Sequence, residues 1–141
     1  LTTSEGIRVQ LQLLSAEGYP NWPTAKARLI QRYADAPPAS LTTLTPTAFA
    51  AAKTATWADR YAPRDLYDTW ALGEHGYITP ETAALYRRHG PTGNNPSPHL
   101  FQAAPSGDAW SDALDHQAII QVGPQEALER VRWLWERATR D

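Results

Sequence analysis

The chain has 141 residues, of which 42% are hydrophobic and 20% are charged, and its formal net charge is −2. This composition fits one folded domain and excludes both a disordered chain and a strongly basic nucleic-acid-binding field. The absence of cysteine excludes a disulfide framework and a thiolate metal site. With no signal peptide and no apolar run long enough for a bilayer, we expect a cytoplasmic protein without membrane contact.

The first part of the chain, residues 1–45, predicts short strands. Residues 6–14 alternate apolar and polar side chains, a pattern typical of a half-buried strand. We expect a weaker strand over residues 27–34 and a threonine-rich strand over residues 40–45. This region is therefore predicted to be the strand-rich part of the molecule.

The remainder, residues 46–141, predicts mainly helices. Thr45 is placed to cap a helix that begins at Pro46 and ends near Arg60. Helix signals also cover residues 63–75, 79–89, 106–114 and 124–139, and residues 90–98 are rich in Gly, Pro and Asn, as in a loop. Strands followed by helices indicate an α+β fold with segregated elements.

Two consecutive helices carry the charged residues that point to chemistry. Phe49, Lys53 and Trp57 are spaced four apart, so they share one face of the first helix, and we expect this face to turn inward. Asp65 and Asp68 share a face in the first turn of the second helix. Lys53 and Asp65 are therefore predicted to approach within salt-bridge range across the turn between the helices.

Each of these charges also has a purely structural interpretation. Lys53 can lay its apolar stem on Trp57 and keep its ammonium in water. Asp65 and Asp68 complement the dipole at a helix N-terminus, and Arg64 can pair with Asp68 four residues later. Spacing alone leaves the structural and the functional interpretation open, because ion-pair networks resemble active sites.

The run RDLYD over residues 64–68, together with the alanine-rich helix around Lys53, resembles the C-terminal half of the AbiEii/AbiGii-type nucleotidyltransferase toxins. The likeness extends from about residue 6 to the C-terminus, and its motifs lie within residues 50–72. It implies a nucleotidyltransferase sheet followed by a helical region. It also implies transfer of a nucleotide from an NTP, with Mg²⁺, to an acceptor such as the 3′ end of a tRNA, and a cognate antitoxin, often a winged-helix repressor.

The resemblance implies catalytic roles for one lysine and one aspartate. Lys53 is expected to contact the β or γ phosphate as a point charge. Asp65 is expected either to orient Lys53 or to take a proton from the acceptor hydroxyl. Asp68 is expected to give structural support by pairing with Arg64 or Arg60.

Three further residues are expected to bind substrate. Arg64 and Arg60 can hold phosphates through their planar guanidinium groups. Tyr67 is expected to stack on a base, with a structural position in the core as the alternative.

A complete site of this kind also needs a Gly-Ser or Gly-Gly turn for the triphosphate and an Asp-x-Asp pair for magnesium, and neither occurs in the 141 residues. The strand at residues 6–14 offers the neutral Gln10 and Gln12, which suit a hard cation poorly. We therefore expect the magnesium ligands to lie in an upstream half or on a second chain. The chain begins with Leu1 and not with methionine, so we expect a processed product or a piece of a longer protein. Because both motifs are missing, this chain is expected to transfer no nucleotide by itself. The alternative is a non-catalytic binding module, or a degenerate relative, that completes a site on another chain.

Overall fold

A computed structural model describes residues 17–31, 35, 37–116 and 119–140. Strand β1, Thr24–Arg28, pairs antiparallel with strand β2, Ser40–Leu44. The helical elements that follow are α1 at Pro46–Arg60, α2 at Pro63–Glu74, α3 at Pro80–His89, a 3₁₀ turn at Pro98–Phe101, α4 at Gly107–Leu114 and α5 at Pro124–Ala138. The predicted α+β fold, with strands before helices, is confirmed for the described part of the chain.

The β1–β2 hairpin lies outside the helical core, since all five residues of β1 and four of the five in β2 are exposed. The strand predicted at residues 27–34 is wrong in its bounds. β1 starts at Thr24 and ends at Arg28, because its extent is fixed by pairing, with Thr24 opposite Leu44 and Arg28 opposite Ser40. The strand predicted at residues 6–14 lies outside the described residues.

The ends of the helices follow local capping signals. Oγ1 of Thr45 accepts a hydrogen bond of 3.3 Å from the N–H of Ala48 at the start of α1, as predicted. Thr79 and Ser106 cap α3 and α4 in the same way. Gly76 follows α2 with φ 79°, a left-handed conformation that glycine adopts without steric penalty. Most helix boundaries are therefore set by the residues next to them in the sequence.

The core is formed by the inward faces of the helices. Its largest buried side chains include Trp57, Leu66, Tyr86, Leu128, Val131 and Trp135. Burying an aliphatic or aromatic side chain of this size contributes about 1.5–3 kcal/mol relative to exposure. The spacing of Leu128, Val131 and Trp135 in the sequence predicts one apolar stripe on α5, and this stripe is confirmed, because all three residues are buried. Among the described residues, no helix is both long enough and apolar enough to cross a bilayer.

Two buried tryptophans fix α1 in place through their indole N–H groups. Trp57 donates to the carbonyl oxygen of Leu100 at 3.2 Å, which ties the end of α1 to the 3₁₀ turn. Trp135 donates to Oγ1 of Thr54 at 3.2 Å, which ties α5 to the middle of α1. Buried indole N–H groups need such acceptors, so these bonds restrict how the helices pack. The helix that carries Lys53 is held on both sides.

Candidate functional site

The candidate site lies where α1 meets α2. Tyr61, the residue after α1, has φ 51° and ψ 32°, and its N–H donates to the carbonyl oxygen of Trp57 at 2.9 Å. Pro63 then occupies the first turn of α2, where its fixed φ suits a helix and its missing N–H is no loss. This short connection places the last turns of α1 beside the first turn of α2.

The ammonium of Lys53 bridges two carboxylates on α2. Its Nζ lies 2.6 Å from Oδ2 of Asp68 and 3.3 Å from Oδ1 of Asp65. The Lys53 side chain is 20% exposed, so it lies at the edge of the helix pair and keeps some contact with solvent. The predicted approach of Lys53 to Asp65 across the turn is confirmed.

The predicted inward direction of the Phe49–Lys53–Trp57 face holds at only one end. Trp57 is buried, but Phe49 is 41% exposed, so the prediction is wrong at Phe49. At that end of α1, Ala48, Ala50 and Ala51 take the core positions instead. Lys53 Nζ lies 5.6 Å from the centroid of the Phe49 ring, within cation–π range.

Asp65 is fully buried and takes a second cation, Arg60. Nε of Arg60 lies 2.6 Å from Oδ2 of Asp65, and Nη2 donates to Oδ1 at 3.0 Å. The hydrogen bond to Asp65, followed by the charge of that carboxylate, raises the pKa of Arg60 above its ordinary value. A buried carboxylate is tolerated when it is paired and hydrogen-bonded in this way.

Asp68 pairs with Lys53, and the predicted pairing of Asp68 with Arg64 or Arg60 is wrong. Arg60 already directs its guanidinium at Asp65, to which it donates two hydrogen bonds. Arg64 is exposed and, within the part of the chain that the structure describes, forms no ion pair. The cluster therefore joins Lys53 and Arg60 to two carboxylates and leaves Arg64 open to solvent.

The sequence matches the family model described as nucleotidyl transferase AbiEii toxin, Type IV TA system, over residues 2–137. The chain belongs to the AbiEii nucleotidyl transferase toxin family. The predicted resemblance is thereby confirmed over nearly the whole chain, well beyond residues 50–72 that suggested it. No curated protein and no solved structure matches this chain.

Membership of a type IV toxin–antitoxin family implies that this AbiEii-family toxin has a cognate antitoxin. The family match assigns no roles to individual residues, so the catalytic roles of Lys53 and Asp65 stay predictions. The geometry around them decides which role each side chain can take.

Tyr67 of this AbiEii-family toxin is half-buried, and both its hydroxyl and its ring contact neighbouring groups. Its hydroxyl donates to the carbonyl oxygen of Ile119 at 3.2 Å. Its ring centroid lies 5.4 Å from that of Trp70 and 5.8 Å from that of Trp110. These contacts account for the position of Tyr67, and the stacking of Tyr67 on a base stays a prediction.

The carboxylates of the cluster do not suit a magnesium site. Both oxygens of Asp65 accept hydrogen bonds from Arg60 or Lys53, and Asp68 faces the Lys53 ammonium. Two cations held this close would repel a divalent ion. Across the described ranges, no group of three or more His, Cys, Asp or Glu side chains is arranged to hold a metal ion.

Spacing in the sequence indicates one further contact of the cluster and misses another. Asp68 lies three residues after Asp65 on the same helix face, so the spacing allows both carboxylates to meet Lys53 across the hairpin, as the ion pairs at 2.6 Å and 3.3 Å now show. The Arg60–Asp65 pair crosses the break between two helices. No periodicity links these positions, and only the path of the chain through Tyr61 brings them together.

Proposed function

We propose that this AbiEii-family protein takes part in transfer of a nucleotide from an NTP to an acceptor such as a tRNA, with Lys53 contacting the substrate phosphates. The observation that carries the proposal is the position of the Lys53 ammonium, held between Asp65 and Asp68 at the α1–α2 junction. A lysine fixed in this way is a directed point charge. Such a charge accelerates phosphoryl chemistry by stabilising the negative charge of the transition state.

The difference between the two carboxylates supports a role in which Lys53 exchanges partners. Asp68 is 36% exposed and Lys53 is 20% exposed, so their ion pair lies at the edge of the protein. Ion pairs in such positions contribute about 0–1 kcal/mol. A phosphate oxygen can therefore replace Asp68 beside Lys53 at little energetic cost, while the bond to Asp65 keeps the ammonium in place.

Asp65 suits the orienting role better than the role of proton acceptor. Its side chain is fully buried, and both of its oxygens already accept hydrogen bonds from cations. An acceptor hydroxyl needs direct access to a base, or access through one water. We therefore propose Asp65 as the residue that positions Lys53 and Arg60.

Two arginines add positive charge beside the lysine. The Arg60 side chain is 56% exposed even while it is bonded to Asp65, so donors remain for a substrate oxygen. Arg64 is exposed next to Asp65 in the sequence. Guanidinium groups in these positions can hold the phosphates of an NTP or of an RNA backbone.

The proposal needs the parts of a nucleotidyltransferase site that these 141 residues do not contain. They hold no Gly-Ser or Gly-Gly turn for the triphosphate and no Asp-x-Asp pair for magnesium. We propose that these elements are supplied by polypeptide outside this sequence. When bound there, magnesium would supply the electrostatic clamp on the reacting phosphate.

The complete toxin, incubated with each labelled NTP, Mg²⁺ and total tRNA, tests this function. We expect label to enter RNA, and Lys53→Met to reduce the rate by roughly a hundredfold or more. The matched control is Lys26→Met, which removes an exposed lysine of β1 and should leave the rate unchanged. Unchanged labelling by Lys53→Met would contradict the role of Lys53. Absence of label with every NTP would favour the alternative of a non-catalytic binding module.

A further inference from the structure

A separate hollow of about 520 Å³ opens beside the end of α1. It lies between that end of α1 and the loop that leads from α3 to the 3₁₀ turn. Tyr86 and Leu100, both buried, give it an apolar lining, and Tyr61 contributes an exposed ring. Its volume lies within the range of small-ligand sites, about 300–1,000 Å³. None of its lining residues belongs to the Lys53 cluster.

Tyr61 holds a backbone conformation that is unusual for its residue type. Within the described ranges, it is the only residue other than glycine with a positive φ. Glycine adopts this conformation freely, whereas a bulky side chain is strained in it. The Tyr61 ring packs edge-on against Trp57, with 5.0 Å between centroids, yet the residue stays 53% exposed. Strain of this kind concentrates at functional sites, so it indicates a use for the exposed ring.

The facing loop and 3₁₀ turn line the hollow with the amides of Asn94 and Asn95 and the imidazole of His99. Oδ1 of Asn95 accepts a hydrogen bond of 2.9 Å from Arg87, which fixes the amide and leaves its NH₂ group available. Nδ2 of Asn94 donates to the carbonyl oxygen of Thr92 at 3.1 Å, which leaves its Oδ1 available. The hollow thus offers a hydrogen-bond donor and an acceptor close together.

The charge of the hollow restricts the chemistry of its ligand. No lysine or arginine is among the described residues that line it, and Asp59 is its one carboxylate. A phosphate or another anion would therefore find no charge partner inside it. An uncharged planar group with donors and acceptors along its edge matches an aromatic ring and two side-chain amides.

We propose that this hollow binds a nucleobase, with Tyr61 stacking on the base and Asn94 and Asn95 hydrogen-bonding to its edge. The inference rests on the proposed function for the class of ligand. Tyr61 directly follows Arg60, whose guanidinium holds Asp65, so the base site adjoins the proposed phosphate site along α1. The base can belong to a free nucleotide or to an unpaired end of an RNA, and the chemistry of recognition is the same.

Two probes distinguish these sources: the individual nucleoside monophosphates and a short single-stranded RNA of mixed sequence. Their binding to the complete toxin can be followed by NMR shifts of the asparagine side-chain amides. We expect at least one probe to bind and to shift the Asn95 signals. Tyr61→Ala should weaken that binding by about fivefold or more, as base–aromatic stacking implies. Tyr61→Phe should bind like the wild type, and so should Tyr77→Ala, which removes an exposed tyrosine outside the hollow.

Tyr61→Gly separates binding from folding. Glycine relieves the left-handed strain, so this variant should keep its melting temperature while it loses affinity for the base. The proposal is overturned if Tyr61→Ala and Asn95→Ala bind both probes as tightly as the wild type, or if the wild type binds neither probe. Either result leaves the proposed function open, because that function is tested separately by the transfer of label from an NTP to RNA.

Discussion

Lys53 Nζ lies 2.6 Å from Oδ2 of Asp68, a shorter distance than the 3.3 Å to Oδ1 of Asp65. The nearer carboxylate is 36% exposed, and the farther one is fully buried. The carboxylate nearer to the Lys53 ammonium is therefore not the more buried one. Removing each aspartate should then change the stability of the fold by a different amount. Asp68 pairs with the Lys53 ammonium at the protein surface, and Asp65 pairs with it from the buried side.

Asp65→Asn should lower the free energy of unfolding by about 2 kcal/mol, because hydrogen bonds to charged groups in buried positions contribute about 1.5–3 kcal/mol. The variant leaves the Lys53 and Arg60 cations without their shared anion. Chemical denaturation of the wild type and the variant measures the difference. Asp68→Asn is the matched control and should lose less than about 1 kcal/mol, since its pair is partly exposed. Equal losses for the two variants would contradict this assignment.

Thr54→Val should destabilise the protein by about 1–3 kcal/mol, because the indole N–H of Trp135 would stay buried without an acceptor. Valine keeps nearly the same shape, so the loss reports the hydrogen bond between α1 and α5. Thr56→Val is the control, since the Thr56 hydroxyl donates only to the carbonyl oxygen of Ala52 within its own helix. Denaturation midpoints that fall equally in both variants would show that the hydrogen bond from Trp135 adds no measurable stability.

Tyr86 should make stability sensitive to high pH. Burial raises the pKa of Tyr86 above its ordinary value, so folding favours the neutral phenol. This contribution to stability is fully present below the unfolded pKa of about 10 and is lost as the pH rises through the folded pKa. Tyr86→Phe should therefore lose less stability than the wild type between about pH 9 and pH 11. The exposed Tyr77→Phe serves as the control, and a parallel pH profile for Tyr86→Phe would contradict the prediction.

The helices were predictable because their signals are local. Thr45, Thr79 and Ser106 mark helix starts in the sequence, and the stripe on α5 follows the helical period. The bounds of β1 were missed because a strand extends only as far as its partner, and that partner lies a dozen or more residues away. Trp135 lies on the stripe of α5 and is buried, whereas Trp133 lies off it and is 40% exposed.

The candidate site was predictable only in part, for a related reason. Helical spacing placed Lys53 on one face of α1 and both aspartates on one face of α2, but it did not decide which carboxylate lies nearer to the ammonium. The hollow at Tyr61 depends on a positive φ and on a loop that comes from beyond α3. Neither property is encoded in the periodicity of α1, so the hollow had no signal in the sequence.

The most direct test of the central claim is growth arrest on induction of the complete toxin carrying Lys53→Met, measured beside the melting curve of the purified variant. Asp65 keeps Arg60 as a partner and Asp68 is partly exposed, so the substitution should cost only about 1 kcal/mol of stability. We predict that Lys53→Met abolishes growth arrest with a small change in melting temperature, while Lys26→Met arrests growth like the wild type. A Lys53→Met variant that stays fully toxic, or that loses toxicity only in step with its melting temperature, would contradict the account.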